Sequence, residues 1–94
     1  MTVKEFKNLE QPLPSFSPEL RSLWWDFRGN WDMAHAEVDQ LPGKSAAKVH
    51  AYLHRKEGDD WNAEYWYGRA GVSRPSVSLD DEWEELLLDF LQTS

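Results

Sequence analysis

The sequence contains no cysteine, and no unbroken apolar run in it exceeds four residues. The lack of cysteine excludes a disulfide framework, a thiolate zinc site and any reaction that uses a thiol. The short apolar runs fall far below the ~20 residues that a membrane-spanning helix needs. The first residues also lack the apolar segment of a secretory signal peptide. We therefore expect a cytoplasmic protein with no membrane partner.

Basic residues are also scarce, since ten lysines and arginines stand against 17 aspartates and glutamates, a formal net charge of −7. Such a surface repels phosphate backbones, so we expect no nucleic-acid partner. The acids are concentrated in residues 80–94, which contain no base. Their positions are Asp80, Asp81, Glu82, Glu84, Glu85 and Asp89. We expect these carboxylates to face solvent on a terminal helix.

The chain of 94 residues is long enough for one small domain but not for two ordinary cores. Pro12 and Pro14 interrupt any long helix near the start. We therefore predict an extended or partly helical lead-in over residues 1–17, followed by a single helical domain over residues 18–94. Six tryptophans supply large side chains for its core.

Apolar residues recur at helical spacing throughout residues 18–94, and no segment alternates with the period of a strand. The first apolar stripe consists of Leu20, Leu23, Trp24 and Phe27. Helix-capping side chains precede four of the predicted helices, at Ser17, Asn30, Asp59 or Asp60, and Ser78. Ser45 is predicted to begin a further helix. The sequence therefore predicts an all-α protein.

Two parts of this helical region resemble each other at a shift of 29 residues. In each part a glycine ends one helix, an alanine follows five residues later, and a small residue lies seven residues before the glycine. These residues are Ser22, Gly29 and Ala34 in the first part, and Ala51, Gly58 and Ala63 in the second. Small residues allow two helices to approach closely, and the glycine accommodates the left-handed backbone that ends a helix.

This pattern resembles the tetratricopeptide repeat, although the usual period of that family is ~34 residues. The resemblance implies two antiparallel helical hairpins, over residues 18–41 and 44–71, in a right-handed α–α superhelix. An amphipathic C-terminal helix over residues 78–93 then caps the open edge with an apolar stripe. The stripe consists of Trp83, Leu86, Leu87, Phe90 and Leu91. Residues 49–59 and 65–71 are also similar to a small group of uncharacterised bacterial proteins, which implies no activity.

A basic and aromatic strip is the first candidate site. Lys48, Tyr52 and Arg55 lie at i, i+4 and i+7, and the family resemblance places this helix face in a concave groove. Arginine binds carboxylates bidentately, so we expect the groove to take an acidic peptide or a terminal carboxylate. The alternative is a solvated face whose bases pair with the protein's own acids. Trp66 and Arg69 complete this set of candidate ligand-binding residues.

The three histidines form the second candidate site. His50 and His54 are one turn apart, and His35 is predicted to face them from the first hairpin. Such a set can chelate a metal ion, with Asp32 or Glu57 completing the site. The alternatives are partly buried histidines that hydrogen-bond polar neighbours, and a small polar pocket that binds a ligand. Because the helix lacks the glutamate that follows the first histidine of a zincin, we favour the structural interpretation and predict no metal ion and no cofactor.

No nucleophile lies beside a base, so we expect no enzyme activity. Trp25 and Trp61 lie off the predicted core stripes, and either becomes a binding anchor if it is exposed. The expected function is a protein- or peptide-binding module. One alternative is a small-molecule or metal-binding protein that uses His35, His50 and His54. Another is a structural subunit that forms a homodimer through Leu88 of the C-terminal helix.

Overall fold

The computed structural model describes residues 1–93, with side chains for residues 1–92. Within that range the chain forms six helices: α1 (Val3–Lys7), α2 (Pro18–Phe27), α3 (Trp31–Val38), α4 (Lys44–Glu57), α5 (Asp60–Ala70) and α6 (Leu79–Thr93). No strand occurs among these residues, so the prediction of an all-α protein is confirmed. None of the described helices has the length and hydropathy required to cross a bilayer. The predicted end of the helical domain at residue 94 lies outside the described residues.

Local capping explains where the helices begin and end. Side-chain oxygens accept the backbone amide three residues later at four predicted N-caps, Ser17, Asn30, Asp59 and Ser78. The α4 helix begins at Lys44, one residue before the predicted Ser45, and the preceding Gly43 provides no side-chain cap. Gly58 has a φ of 85° and ends α4 in the left-handed conformation that the repeat predicts.

The helices pack most extensively as consecutive pairs, α2 on α3 and α4 on α5. In the first pair the Ser22 hydroxyl donates to the Ala34 carbonyl at 2.7 Å, and both residues are fully buried. Ala51 and Ala63 are fully buried in the second pair. The small residues predicted from the repeat therefore lie at the contacts between paired helices, where larger side chains would hold the helices apart.

The α6 helix packs across α2 and α4. Its predicted apolar stripe is buried at Trp83, Leu86, Leu87 and Phe90, and half-buried at Leu91. The Trp83 indole also donates to the Leu23 carbonyl at 3.0 Å, which ties α6 to α2. The stripe therefore completes the core, as the amphipathic pattern predicts.

The segment before α2 contributes to the same core. Thr2 and Glu5 form a capping box at the start of α1, so this segment is partly helical, as predicted. Phe6 is fully buried, and its ring centroid lies 5.5 Å from that of Phe16 and 5.9 Å from that of Trp83. Residues 1–17 are therefore not a lead-in outside the helical domain, because their aromatic side chains pack between α2 and α6.

Candidate functional site

The basic and aromatic face of α4 packs against other helices of the same chain. Nη1 of Arg55 donates to the Glu82 carboxylate at 2.7 Å, and Nη2 donates to the Val77 carbonyl at 2.6 Å. Tyr52 is buried, and its hydroxyl donates to the Asp26 carboxylate at 2.7 Å. Tyr52 and Arg55, which were expected to bind an acidic peptide, are therefore bound instead to the chain's own acids.

Two acids lie in the core instead of at the surface. Glu82, which is predicted to face solvent, is 3% exposed and also accepts a hydrogen bond from the Tyr67 hydroxyl at 2.7 Å. Asp26 is equally buried and accepts a hydrogen bond from Lys56 Nζ at 2.8 Å. Phe27, which is predicted to lie on the core stripe, is instead 44% exposed. The adjacent Asp26 takes the inward position because its partners compensate its burial.

Burial also changes the acid–base behaviour of the two tyrosines in these networks. Loss of solvent and the neighbouring Asp26 carboxylate raise the pKa of Tyr52 far above its usual range. Loss of solvent and the hydrogen bond to Glu82 raise the pKa of Tyr67 in the same direction. Both phenols therefore remain protonated hydrogen-bond donors at neutral pH.

Lys48 is the half-buried end of the predicted basic strip. Together with Glu85 and Asp89, it lines an open cavity of ≈ 370 Å³ between α4, α6 and the loop that follows α5. The two carboxylates give this cavity an acidic rim. Its charge therefore does not favour an acidic peptide, the ligand expected for the strip.

The structure brings the three histidines together, as the spacing and the predicted first hairpin indicate. Nε2 of His35 and Nε2 of His50 are 3.0 Å apart, and the rings of His50 and His54 stack with centroids 4.9 Å apart. One nitrogen of each ring lies within 4.8 Å of the other two. His50 and His54 are buried, whereas His35 is half-buried at the edge of the cluster.

Aromatic and acidic side chains hold these rings in place. The Trp66 ring stacks on His50 with centroids 3.9 Å apart, and the Trp31 ring stacks on His35 at 4.8 Å. Nδ1 of His54 lies 2.6 Å from the Glu57 carboxylate. The sequence analysis names Asp32 and Glu57 as acids that could complete a metal site, and of these two Glu57 contacts the histidine cluster. Asp32 is exposed, and its carboxylate does not lie within 4.8 Å of the ligand nitrogens of all three histidines.

The charge state of the cluster follows from its burial. Loss of solvent, together with the nearby His35 and His54, lowers the pKa of His50 to about 4. At neutral pH the His50 imidazole is therefore uncharged and keeps one nitrogen lone pair. A neutral imidazole with a free lone pair is able to accept a hydrogen bond or to bind a metal ion.

A second group of side chains lies on the outer face of α5. Trp61 is 76% exposed and stacks on Tyr65, with ring centroids 6.2 Å apart and planes inclined by 11°. Arg69 continues this row, since Nη1 donates to the Tyr65 hydroxyl at 2.9 Å and the guanidinium lies over the Trp66 ring. We call Trp61, Tyr65 and Arg69 the α5 strip. Tyr65 is not among the candidate binding residues predicted from the sequence, although its position one turn after Trp61 indicates the same face.

Trp66 links the α5 strip to the histidine cluster, because it contacts Arg69 on one side and His50 on the other. Trp25, the other tryptophan outside the predicted stripes, is half-buried against Trp24 and offers no comparable surface. The predicted ligand-binding residues therefore separate into the basic face of α4, a histidine cluster and an exposed strip. Comparison of the chain with protein-family models, with curated proteins and with solved structures gives no significant match in any of the three.

Proposed function

We propose that this protein is a protein- or peptide-binding module whose binding surface is the α5 strip. The observation that carries the proposal is the exposure of Trp61, three quarters of whose surface meets solvent in a stack with Tyr65. Tryptophan, tyrosine and arginine are the residues that contribute most to the free energy of protein interfaces. All three are present, one turn apart, along a single helix face.

The packing of α5 supports this assignment. Among the described helices, α5 packs closely along α4 alone, so its opposite face is uncovered. Gly68 lies three residues after Tyr65 on this face, and a Cβ added there would meet no atom within 4 Å. A glycine inside a helix costs about 1 kcal/mol relative to alanine. Because no contact within the described residues requires a glycine at this position, close approach of a partner's backbone is the role that we propose for it.

The chemistry of the strip favours a partner with a carboxylate beside an apolar side chain. Among the described residues, Arg69 forms no ion pair, although it donates to Tyr65. The remaining guanidinium donors are therefore available for bidentate binding of a carboxylate. The indole of Trp61 at the other end of the strip suits an apolar side chain. An acidic peptide is thus still the expected ligand, but on α5 instead of α4.

The likeness to the tetratricopeptide repeat belongs to the same proposal. Under this proposal, the helix pairs α2–α3 and α4–α5 are successive hairpins of a short right-handed superhelix. The α6 helix then occupies the groove that binds a peptide in longer arrays. The buried contact of Arg55 with Glu82 supports this interpretation. The outer surface of the second hairpin is then the surface left for a partner.

Selection of peptides from a random library displayed on phage, with the full chain as bait, tests the proposal. We expect enriched peptides in which aspartate or glutamate lies near an apolar residue. Trp61→Ala and Arg69→Glu are expected to abolish binding of the selected peptides without changing the melting temperature. Lys4→Glu on α1 is the matched control, since it makes the same charge change far from the strip. A selection without enrichment, or peptides that bind Trp61→Ala and the parent equally, would contradict the assignment.

The homodimer through α6 stays a prediction. Leu88 is exposed on the face of α6 opposite to the buried stripe, as the predicted contact requires. Sedimentation of the intact chain and of a Leu88→Lys variant distinguishes a dimer that uses α6 from a monomer that binds other proteins through α5. A monomer at high concentration would leave the α5 strip as the only proposed interaction surface.

A further inference from the structure

The chain contains three histidines in all, and the structure brings them to one place. His35 lies on α3, whereas His50 and His54 lie on α4. We propose that these three side chains bind one divalent ion of a late first-row transition metal, of the class of Zn²⁺, Co²⁺, Ni²⁺ and Cu²⁺. This site is separate from the α5 strip and does not depend on the function proposed for it.

The separations between the ring nitrogens are close to those that coordination requires. A tetrahedral ion with metal–nitrogen bonds of about 2.0–2.1 Å holds its ligand nitrogens ~3.3 Å apart. Nε2 of His35 and Nε2 of His50 are 3.0 Å apart, and a nitrogen of His54 lies within 4.8 Å of both rings. The nitrogens are therefore close enough to share one ion, and the stacked rings of His50 and His54 must turn from their near-parallel arrangement so that their lone pairs meet it.

Glu57 orients the third ligand. An ionised carboxylate only accepts hydrogen bonds, so Nδ1 of His54, 2.6 Å from Glu57, is the nitrogen that carries the hydrogen. Nε2 of His54 is then left with a lone pair for the ion. A carboxylate hydrogen-bonded to a histidine ligand is common in metal sites, because it fixes the tautomer and makes the ligand more basic.

The contact between His35 and His50 shows what must change when an ion binds. At 3.0 Å one of the two Nε2 atoms donates a hydrogen bond and the other accepts it. An ion requires a lone pair on both atoms. The donor ring therefore loses the hydrogen from Nε2 to solvent and gains one on Nδ1, so its net charge is unchanged.

The surroundings of the cluster fit a metal site with one open position. Trp31 and Trp66 stack on His35 and His50, whose Nε2 atoms are in contact. Three protein ligands leave one position of a tetrahedral ion for water or another small ligand. The side chain of His35 is 25% exposed, so this position opens to solvent on the His35 side. A donor set of imidazoles without a thiolate favours the ions named above over Mg²⁺ and Ca²⁺, which prefer oxygen ligands.

A second set of potential ligands shares His54. It combines His54 with Glu57 and Asp59, whose ligand atoms also lie within 4.8 Å of one another. Asp59, however, already accepts hydrogen bonds from the backbone amide and the side-chain amide of Asn62, at 3.2 and 2.6 Å. These bonds cap α5 and occupy both carboxylate oxygens, so the observations favour the set with three histidines.

The test uses the full chain after treatment with a chelator, titrated first with Co²⁺ alone and then with Zn²⁺. We expect one Co²⁺ per chain, with the visible absorption of a four-coordinate ion, and displacement of Co²⁺ by Zn²⁺. In the unmodified protein the imidazole nitrogen signals of all three histidines are expected to shift together in the NMR spectrum. This readout requires no substitution, so it is independent of whether a variant folds.

Substitutions then assign the ligands. His35→Gln and His54→Gln are each expected to weaken Zn²⁺ binding by more than about 100-fold, and Glu57→Gln by about 10–100-fold. Asp59→Ser keeps a helix-capping oxygen and is expected to leave Zn²⁺ binding unchanged. Circular dichroism verifies that each variant is folded. Binding of several weak ions, no shift of the imidazole signals, or loss of binding in Asp59→Ser but not in His35→Gln would overturn the proposal.

Discussion

Arg55 on α4 and Glu82 on α6 form an ion pair with Nη1 and Oε1 2.7 Å apart, and little of either side chain reaches solvent. The same carboxylate accepts a hydrogen bond from Tyr67 on α5. Glu82 therefore joins three helices through charge-assisted bonds, which are stronger than bonds between neutral groups. The last helix is held in place by this network as well as by its apolar stripe.

The first prediction concerns this ion pair. Arg55→Ala removes the base and leaves Glu82 as a buried charge with only Tyr67 as a partner. We expect the free energy of unfolding to fall by about 3 kcal/mol, as is usual when one member of a buried pair is removed. Urea denaturation measures the change. Arg74→Ala is the control, because its partner Asp60 is exposed and such surface pairs contribute less than about 1 kcal/mol. Equal effects of the two substitutions would contradict the importance assigned to burial.

The second prediction concerns the close approach of α4 and α5. Ala63 is fully buried at this contact, so Ala63→Leu places three extra carbons where no space exists. We expect overpacking to lower the free energy of unfolding by about 1–3 kcal/mol. Ala36→Leu is the matched control on the exposed face of α3, where surface changes usually stay within about 0.5 kcal/mol. Thermal unfolding of both variants makes the comparison, and a stable Ala63→Leu variant would place the helices farther apart.

The fold was largely predictable because its signals are local. The caps at Ser17, Asn30 and Asp59 involve residues three apart, and each apolar stripe is readable from helical spacing. The burial of Phe6 was not predictable in this way, because it depends on the approach of α1 to Trp83, which is distant in sequence. Propensity over a five-residue helix carries little information about such a contact.

In the candidate site, too, contacts within one helix were predictable from the sequence, whereas the ion pair between two helices was not. The pairing of His54 with His50 and with Glu57 follows from positions one turn apart on α4. The prediction that Glu82 faces solvent was wrong, although Glu82 lies four residues before Leu86 and borders the apolar stripe. The ion pair of Glu82 with Arg55 could not be predicted from the sequence, because it depends on how α6 crosses α4. Charges pair over long sequence distances, so periodicity alone does not reveal which bases are already neutralised.

The third prediction concerns acid stability in the metal-free protein. His50 faces His35 from α3, His54 from its own helix, Asp39 at the end of α3 and Trp66 from α5. Because the folded protein holds the pKa of His50 at about 4, against 6.5 for the free side chain, the unfolded chain binds the proton first as pH falls. His50 therefore causes no loss of stability above pH 6.5, and it lowers the free energy of unfolding as pH falls from 6.5 to about 4.

The expected loss over this interval is at most about 3 kcal/mol, since one pKa unit corresponds to about 1.4 kcal/mol. Urea denaturation at several pH values in the presence of a chelator measures it. His50→Gln is expected to flatten the dependence between pH 4 and 6.5, because a glutamine does not titrate. An NMR titration in which the His50 imidazole of the folded protein gains its proton near pH 6.5 would contradict the prediction.

The fourth prediction concerns alkaline stability. Burial and carboxylate neighbours raise the pKa of Tyr52 and of Tyr67, so neither phenol ionises in the folded protein where a free tyrosine does, at pH 10. The unfolded chain loses those protons first, so the two tyrosines cause no loss of stability below pH 10, and the free energy of unfolding falls as pH rises above it. Absorbance of phenolate and circular dichroism, recorded on the same samples, provide the measurement. Since the chain has three tyrosines, phenolate absorbance from more than one of them while the helices remain folded would contradict the burial of these two groups. Tyr67→Phe is expected to reduce the decline above pH 10, because it removes one of the two protons on which the decline depends.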